Sequence, residues 1–353
     1  MRDMTRPIHR LRAAVGERFV QDEMAELVSQ AIGPLVAHDA LRLFGMNPAT
    51  GTVSYGFLHG FPTALLHAQL IDSYAGDDPF SPADIGRLAA DTGLLGGGEH
   101  SLPGHRQAAR TLAEYGAGSE LRLLLRESTR RPWGLLALLR TAGGRPFDQE
   151  DAWQLTQLDE PLIALLKGYA TARTATAAPP GTPFLPPGVV MVGPDDQVRS
   201  VSPQARAWLA EIAPERGLAP PWMPTASMRE IVLAARRHAV VPGAPPALAC
   251  SPAAFLGRRV AVHAQCMDAS GKGEVAVVLQ EGSGALLLPT YAAWHGLTAR
   301  ESEVIERLCS REAPRQIARI MGISVHTLNT HVRNVYRKTG TSGRDDLVAA
   351  LNR

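Results

Sequence analysis

The residues best placed to act chemically as a set lie near the C-terminus, between Ser324 and Thr339. Drawn as a helix at 100° per residue, this stretch puts His326, Thr330, Arg333, Asn334 and Arg337 on one side, flanked by Thr327, Asn329, His331 and Lys338. Val325, Leu328, Val332 and Val335 fall on the opposite side, within about 80° of arc. The polar side offers hydroxyls, amides, imidazoles and cations, and no carboxylate occurs anywhere between 324 and 339. A helix that is merely solvated usually mixes both signs of charge. One that enters a major groove approaches a polyanion, which uncompensated acids would repel. The set therefore suits phosphate oxygens and base edges, with a protein-docking surface as the alternative reading.

The flanking residues supply the elements that would hold such a helix. Thr298-Ala-Arg-Glu301 is a capping box: the Thr hydroxyl accepts from the backbone three residues on, and the Glu reaches back. Val304, Ile305 and Leu308 then form one apolar face. Pro314 can open a second short helix with Ile317, Ala318 and Met321 as its buried side, and Gly322 ends it. Ser324 caps the third helix. Ser342-Gly-Arg-Asp345 repeats the capping box ahead of Leu347, Val348 and Leu351. The expectation is an all-α unit of four short helices over 290–353, with a helix-turn-helix at Pro314–Lys338.

Gly296-Leu-Thr-Ala-Arg-Glu-Ser-Glu-Val304, Ile317-Ala318, Gly322-Ile-Ser324, Thr327, Thr330-His331 and Leu347-Val348 together resemble the DNA-binding domain of LuxR-type transcriptional regulators. That resemblance implies double-stranded DNA as the partner, no catalysis and no cofactor. With side-chain chemistry, it implies that Asn329, Thr330 and Arg333 reach base edges. Thr327, His331, Arg337 and Lys338 would hold phosphates, and Arg315 would add a backbone contact. It further implies a homodimer paired through the fourth helix, with about half the apolar surface of Leu347, Val348 and Leu351 packed inside the domain and the remainder meeting a second copy, and RNA polymerase as another partner. Pairing accords with the few base pairs that one short helix can read. The sequence departs from the family at Arg311, where Gly is usual, at Gln316, where Glu is usual, and at Asn329, where Lys is common. The last change turns the expected preference from guanine toward adenine.

Upstream, two breaks in composition divide the chain. Thr171–Pro187, rich in Thr, Ala and Pro, reads as a linker, and Glu281–Ala285 is small and Gly-rich. The piece 15–170 opens with a helical stripe through Val20, Met24, Leu27, Ala31 and Leu35. Strands at Ala40–Met46 and Thr52–Leu58 flank the turn Asn47–Gly51, and a helix follows near Thr63–Tyr74. Strands at Leu121–Glu127 and Trp133–Arg140 precede a helix from Asp148 to Tyr169, which Pro161 should kink or restart. Leu155, Leu158, Leu162, Leu165 and Tyr169 of that helix suit either its own sheet or a dimer seam. Trp133–Arg140 followed by Arg145-Pro-Phe147-Asp148 resembles the end of a GAF domain. In 188–282, strands Gly188–Val192 and Val198–Val201 lead into a helix at Pro203–Ile212, another at Ser227–His238, and strands Arg258–Met267 and Glu274–Gln280. This opening resembles a PAS domain, with Ser202 where Asn is more usual. The expected fold class is multidomain: α+β GAF-like and PAS-like sensor domains, then the all-α helix-turn-helix domain. Such sensors imply a small-molecule effector of unknown identity. The linker, and 283–296 read as a short spacer, would let the domains reorient.

Composition sets the outer bounds. With 353 residues, 45% of them hydrophobic and 20% charged, wholesale disorder is excluded. Basic residues number 36 against 34 acidic, so a nucleic-acid partner must be argued from a local patch. No apolar stretch approaches the roughly 20 residues of a membrane span, and Met1–Arg12 lacks the apolar core of a secretion signal. Three scattered cysteines, Cys250, Cys266 and Cys309, point to a reducing cytoplasm rather than to disulfides or zinc. No GxSxG, HExxH, Walker lysine loop or GxGxxG is present. Gly96-Gly-Gly98 reads as a surface loop, Asp77-Asp78 and Asp195-Asp196 as turns, and His59 and His67 lack partners at metal-ligand spacing. His238 and His263, the candidate haem ligands of the PAS-like piece, read as structural. An enzyme with an appended DNA-binding tail and a protein-interaction scaffold stand as the competing functions.

Overall fold

The computed structural model describes residues 5–17, 21–75, 77–88, 91–96, 104–127, 131–172, 185–212 and 223–351. The chain begins with α1 (Thr5–Ala13), α2 (Gln21–Ile32), β1 (Ala40–Met46), β2 (Val53–His59), α3 (Thr63–Ala75), α4 (Pro82–Ile85) and β3 (Thr92–Leu95). It continues through α5 (His105–Glu114), β4 (Ala117–Arg126), β5 (Pro132–Thr141), α6 (Gln149–Thr156) and α7 (Asp159–Thr171). The strands form one antiparallel sheet in the order β2-β1-β5-β4-β3. Helices cover both of its faces, which is why β4 and β5 read as nearly unbroken apolar runs. Leu121, Leu123, Leu125, Leu136 and Leu138 point toward α1, α2, α6 and α7, while Leu124, Leu135 and Leu139 pack with Phe61, Leu65, Ile85 and Leu112 on the other face.

That second face also carries buried charge. Arg42 and Arg122 stand opposite Ala137 from either side, and its small side chain leaves room for both to meet Glu120. The Glu120 carboxylate accepts from Arg42 at 3.0 Å, from Arg122 at 2.9 Å and from Gln69 at 2.8 Å. Asp78 takes the remaining side of Arg122 at 2.7 Å. Burial drags the Arg42 guanidinium down to about 10 against the pull of Glu120. Arg122 also suffers burial, yet Glu120 and Asp78 raise it above the ordinary arginine value. Asp77-Asp78 was expected to be a plain turn; Asp78 is instead part of this ladder.

The expected helix from Asp148 to Tyr169 is two helices. Gln157 ends α6, and Pro161 lies in the first turn of α7, where its missing N–H costs nothing. Leu155, Leu158, Leu162, Leu165 and Tyr169 are all sunk in the chain's own core, which removes the dimer-seam alternative. Sequence patterning did not anticipate α1, α5 or β3, and Val20 and residues 128–130 of the β4–β5 turn lie outside the described residues.

The second sheet is built from β6 (Gly188–Val192), β7 (Val198–Val201), α8 (Pro203–Ile212), α9 (Met223–Val240), β8 (Ala247–Ser251), α10 (Ala253–Leu256), β9 (Val260–Cys266) and β10 (Val275–Glu281). Its order is β7-β6-β10-β9-β8, again antiparallel. Strand β8 escaped prediction because Ala247-Leu-Ala-Cys-Ser251 has small residues and follows Pro245-Pro246. It lies at the sheet edge, where side chains of the β1–β2 hairpin meet its backbone. The Leu248 carbonyl accepts from Asn47 Nδ2 at 3.1 Å, Thr50 Oγ1 at 2.7 Å and Thr52 Oγ1 at 2.5 Å. The Cys250 N–H donates to Ser54 Oγ at 3.1 Å, and Val53 N–H donates to the Glu230 carboxylate of α9 at 3.1 Å.

Five helices complete the chain: α11 (Gly284–Trp294), α12 (Ala299–Cys309), α13 (Pro314–Ile320), α14 (Val325–Thr339) and α15 (Arg344–Leu351). The expectation of a spacer at 283–296 is corrected by α11, whose Leu287, Thr290, Tyr291 and Trp294 are all buried. Leu287 and Trp294 join the core of the first sheet, whereas Tyr291 and Ala292 join that of the C-terminal helices. A helix apolar on all sides has no amphipathic stripe, so periodicity cannot reveal it. The Thr171–Pro187 linker falls largely on 173–184, outside the described residues.

Glu120→Ala should destabilise the first unit by about 3–5 kcal/mol, because it leaves two buried guanidinium groups short of a counter-ion. Urea unfolding of the full chain checks this, and an unchanged midpoint would show the ladder to be energetically idle.

Candidate nucleic-acid interface

The helices after α11 are set by their caps. Thr298 Oγ1 accepts from the Glu301 N–H at 3.2 Å, and the Glu301 carboxylate accepts from the Thr298 N–H at 2.7 Å. Pro314 occupies the first turn of α13, and the turn after that helix passes through Gly322 at φ 66°. Ser324 Oγ then accepts from the Thr327 N–H at 3.0 Å and starts α14, which Gly340 closes at φ 63°. Before α15 the expected box closes one residue later than read: Ser342 N–H donates to Asp346 at 2.9 Å, rather than pairing with Asp345.

Helix α14 rests on Leu328 and Val335, both buried, with Val332 packed beside them. Val325 was expected on this apolar side but is 42% exposed, because at the first helical position it overhangs the core. The other side of α14 is open: His326, Thr327, Asn329, Thr330, Arg333 and Arg337 are exposed, and His331 and Asn334 are half-buried. Thr330 Oγ1 donates back to the His326 carbonyl at 3.2 Å, leaving its lone pairs free to accept. Among the described residues no carboxylate pairs with Arg333, Arg337 or Arg315, and Arg315 is exposed at the start of α13. The structure thus gathers Thr327, Asn329, Thr330, His331, Arg333 and Arg337 on one accessible helix.

Lys338 does not join them. Its ammonium donates to the Glu301 carboxylate at 2.7 Å and to the Gly296 carbonyl at 3.0 Å, so its charge is neutralised within the fold. Burial pushes the Glu301 carboxyl upward, but the bonds from Lys338 and Thr298 hold it below its ordinary value. Nor are Leu347 and Leu351 available to a second copy: both are buried in their own helical core, and only Val348 is partly open. Ala350, on the same helix, gives its carbonyl to Arg259 of the second unit.

Two residues were passed over by the sequence reading. His295, just past α11, places Nδ1 at 3.2 Å from the Lys338 carbonyl at the end of α14 and lies 4.3 Å from the Tyr291 ring. Burial brings its pKa down to about 4 despite that bond, so the ring is neutral and donates. Arg259 is buried over the Tyr291 ring at 5.3 Å. Neither stands in a motif: His295 joins two helices of the C-terminal unit, and Arg259 reaches that unit from the second sheet, each across a long stretch of sequence.

Other candidate groups disperse. Asp195 pairs with Arg199 at 2.8 Å, and His238 bonds the Ala244 carbonyl at 2.7 Å. His263 is on β9, and His67 is a buried residue of α3. Residues 97–100 of the Gly-rich loop lie outside the described residues. Among the described residues, no group of His, Cys, Asp and Glu could hold a metal ion, and no helix is long and apolar enough to cross a membrane.

Residues 295–351 match the family described as bacterial regulatory proteins, luxR family. This segment is a LuxR-family domain. The match spans the LuxR helix-turn-helix of α13 and α14 and both flanking helices. No curated protein matches the chain. Among solved structures, Escherichia coli SdiA aligns over 92% of this chain and 89% of its own, at 11% identity and a TM-score of 0.32. SdiA in complex with octanoyl-rac-glycerol covers 99% and 89%, at 13% identity and a TM-score of 0.29. VqmA bound to DPO covers 46% of this chain and 84% of its own, at 20% identity and a TM-score of 0.20. Likenesses that distant lend no weight to either sensor fold or ligand.

The LuxR domain carries one strained residue. Arg311, where the family usually has Gly, adopts φ 59°. Its N–H donates to the Leu308 carbonyl at 3.1 Å in the turn that ends α12. Arg311→Gly should relieve about 1 kcal/mol of left-handed strain and raise the thermal midpoint of this domain. A lower midpoint would mean that the Arg side chain contributes more than its backbone costs.

Proposed function

We propose that this protein is a DNA-binding transcription regulator in which two sensor units control a C-terminal LuxR-family helix-turn-helix. The observation that carries the reading is the open, acid-free face of α14, whose Arg333 and Arg337 have no carboxylate partner among the described residues, whereas the buried Arg42, Arg122, Arg140 and Arg258 each pair with one. In this reading Asn329, Thr330 and Arg333 contact base edges, Arg333 gripping guanine O6 and N7 through its planar fork. Thr327, His331 and Arg337, with Arg315 at the start of α13, hold phosphates and set register. Lys338 is withdrawn from that group because it serves the fold.

The sensor units are 15–170, GAF-like, and 188–282, PAS-like, with the DNA-binding unit at 290–353. Each sensor sheet is antiparallel and helix-covered, which supports that assignment. A small-molecule effector acting on these units, RNA polymerase as a further partner and a homodimer on DNA complete the proposal. Since Leu347 and Leu351 are buried, pairing through α15 would rest on Val348 and its neighbours in this arrangement.

Selection of bound genomic fragments by the full chain, followed by gel shift at fixed salt, tests the reading. Arg333→Ala should abolish preference for the selected duplex while leaving the fold intact, at a cost of about 1–3 kcal/mol. Arg337→Met should weaken all duplexes alike and flatten the slope of log affinity against log salt by about 0.9, one phosphate's worth. Retained preference in the Arg333 variant, or no DNA affinity at low salt, would defeat the proposal.

A further inference from the structure

Asn47 and the end of the recognition helix are joined through a single short element. The Asn47 side chain is fully buried, and Nδ2 donates to Thr290 Oγ1 at 2.8 Å as well as to the Leu248 carbonyl. Its Oδ1 accepts from the Ala49 N–H at 3.0 Å, so the amide cannot turn without breaking its own hairpin. Thr290 lies on α11 and is likewise fully buried. Five residues on, about 7.5 Å along the axis, His295 donates to the Lys338 carbonyl, and Lys338 answers by donating to Gly296. Thr290 and His295 sit about 140° apart around that axis at 100° per residue. A rotation of α11 therefore changes the bonds at both ends.

We propose that α11 is a rigid shaft that fixes the pose of α14 to the first sheet, with Asn47 and His295 as the positioning residues at its two ends. Apolar packing of Leu287, Tyr291 and Trp294 seats the shaft but tolerates small rotations. The directional bonds at Asn47 and His295 do not, since each buried group is costly to leave unpaired. An effector that shifts the β1–β2 hairpin thus turns the recognition helix as a body, in place of releasing a tethered domain. This control rests on the DNA-binding reading; the mechanical coupling does not.

Amide hydrogen exchange on the full chain separates the two. Asn47→Ala should speed exchange at Val335–Thr339 of α14 by about tenfold, roughly the equivalent of one lost hydrogen bond. Thr290→Val, nearly isosteric, should do the same, and combining Asn47→Ala with His295→Ala should add little beyond either alone. Asn47→Ala and Thr290→Val should also reduce preference for the genomically selected duplex over a scrambled one, with affinity for the scrambled duplex unchanged. Acceleration confined to the β1–β2 hairpin and β8, or fully additive effects in the double variant, would overturn the shaft. Should Asn47→Ala fail to fold, Thr290→Val decides by the same two readouts. If no duplex is bound at all, the regulator reading falls, while exchange at α14 still decides the coupling.

Discussion

A backbone carbonyl buried at the edge of a sheet must find donors, and the Leu248 carbonyl finds three on a different sheet. Without them, β8 would present an unpaired edge to solvent, open to pairing with another chain. With them, the second sheet is registered against the first, and a seat for α11 exists between the two. The C-terminal helices hang on that seat through Tyr291, His295 and Arg259. The placement of the whole LuxR-family unit therefore follows from how one edge strand satisfies its backbone.

The chain treats its cations in two ways. Under α3 and α4, Arg42 and Arg122 are matched by Glu120 and Asp78, a balanced set that low dielectric makes costly to unbalance. On α14, Arg333 and Arg337 face solvent unmatched, which is tolerable only because water screens them. Arg259 is intermediate: buried, it leans on an aromatic face and on a carbonyl at the negative end of α15. Net charge near zero conceals this segregation, so composition alone could not point to a polyanion.

Local rules were legible in the sequence, and distant ones were not. The Thr298–Glu301 box, Pro314, Ser324 and the Leu328–Val335 seam each depend on residues a few positions apart, and each appears where patterning puts it. Lys338 was misread because its position on the helix suits a phosphate, while Glu301, which claims it, lies on another helix. Leu347 and Leu351 look like surface adhesive in an isolated helix and are core in the assembled one. The buried ladder did leave a trace: Arg42, Glu120 and Arg122 interrupt apolar strands at positions that share one sheet face, and period-two counting finds them. Asn47 was taken for an ordinary turn residue, since nothing local distinguishes a turn asparagine from one that bridges two units.

Trp294 fills space among side chains of the first unit although it belongs to the helix that introduces the last. Evolution often shuffles DNA-binding modules as interchangeable cassettes, cut at a neutral seam. Here the cut would have to pass through shared interior, leaving a hole in one fragment and a bare indole on the other. Recombination at this junction would therefore be tolerated only when donor and recipient brought matching shapes, which ties the ancestry of the C-terminal unit to that of the first.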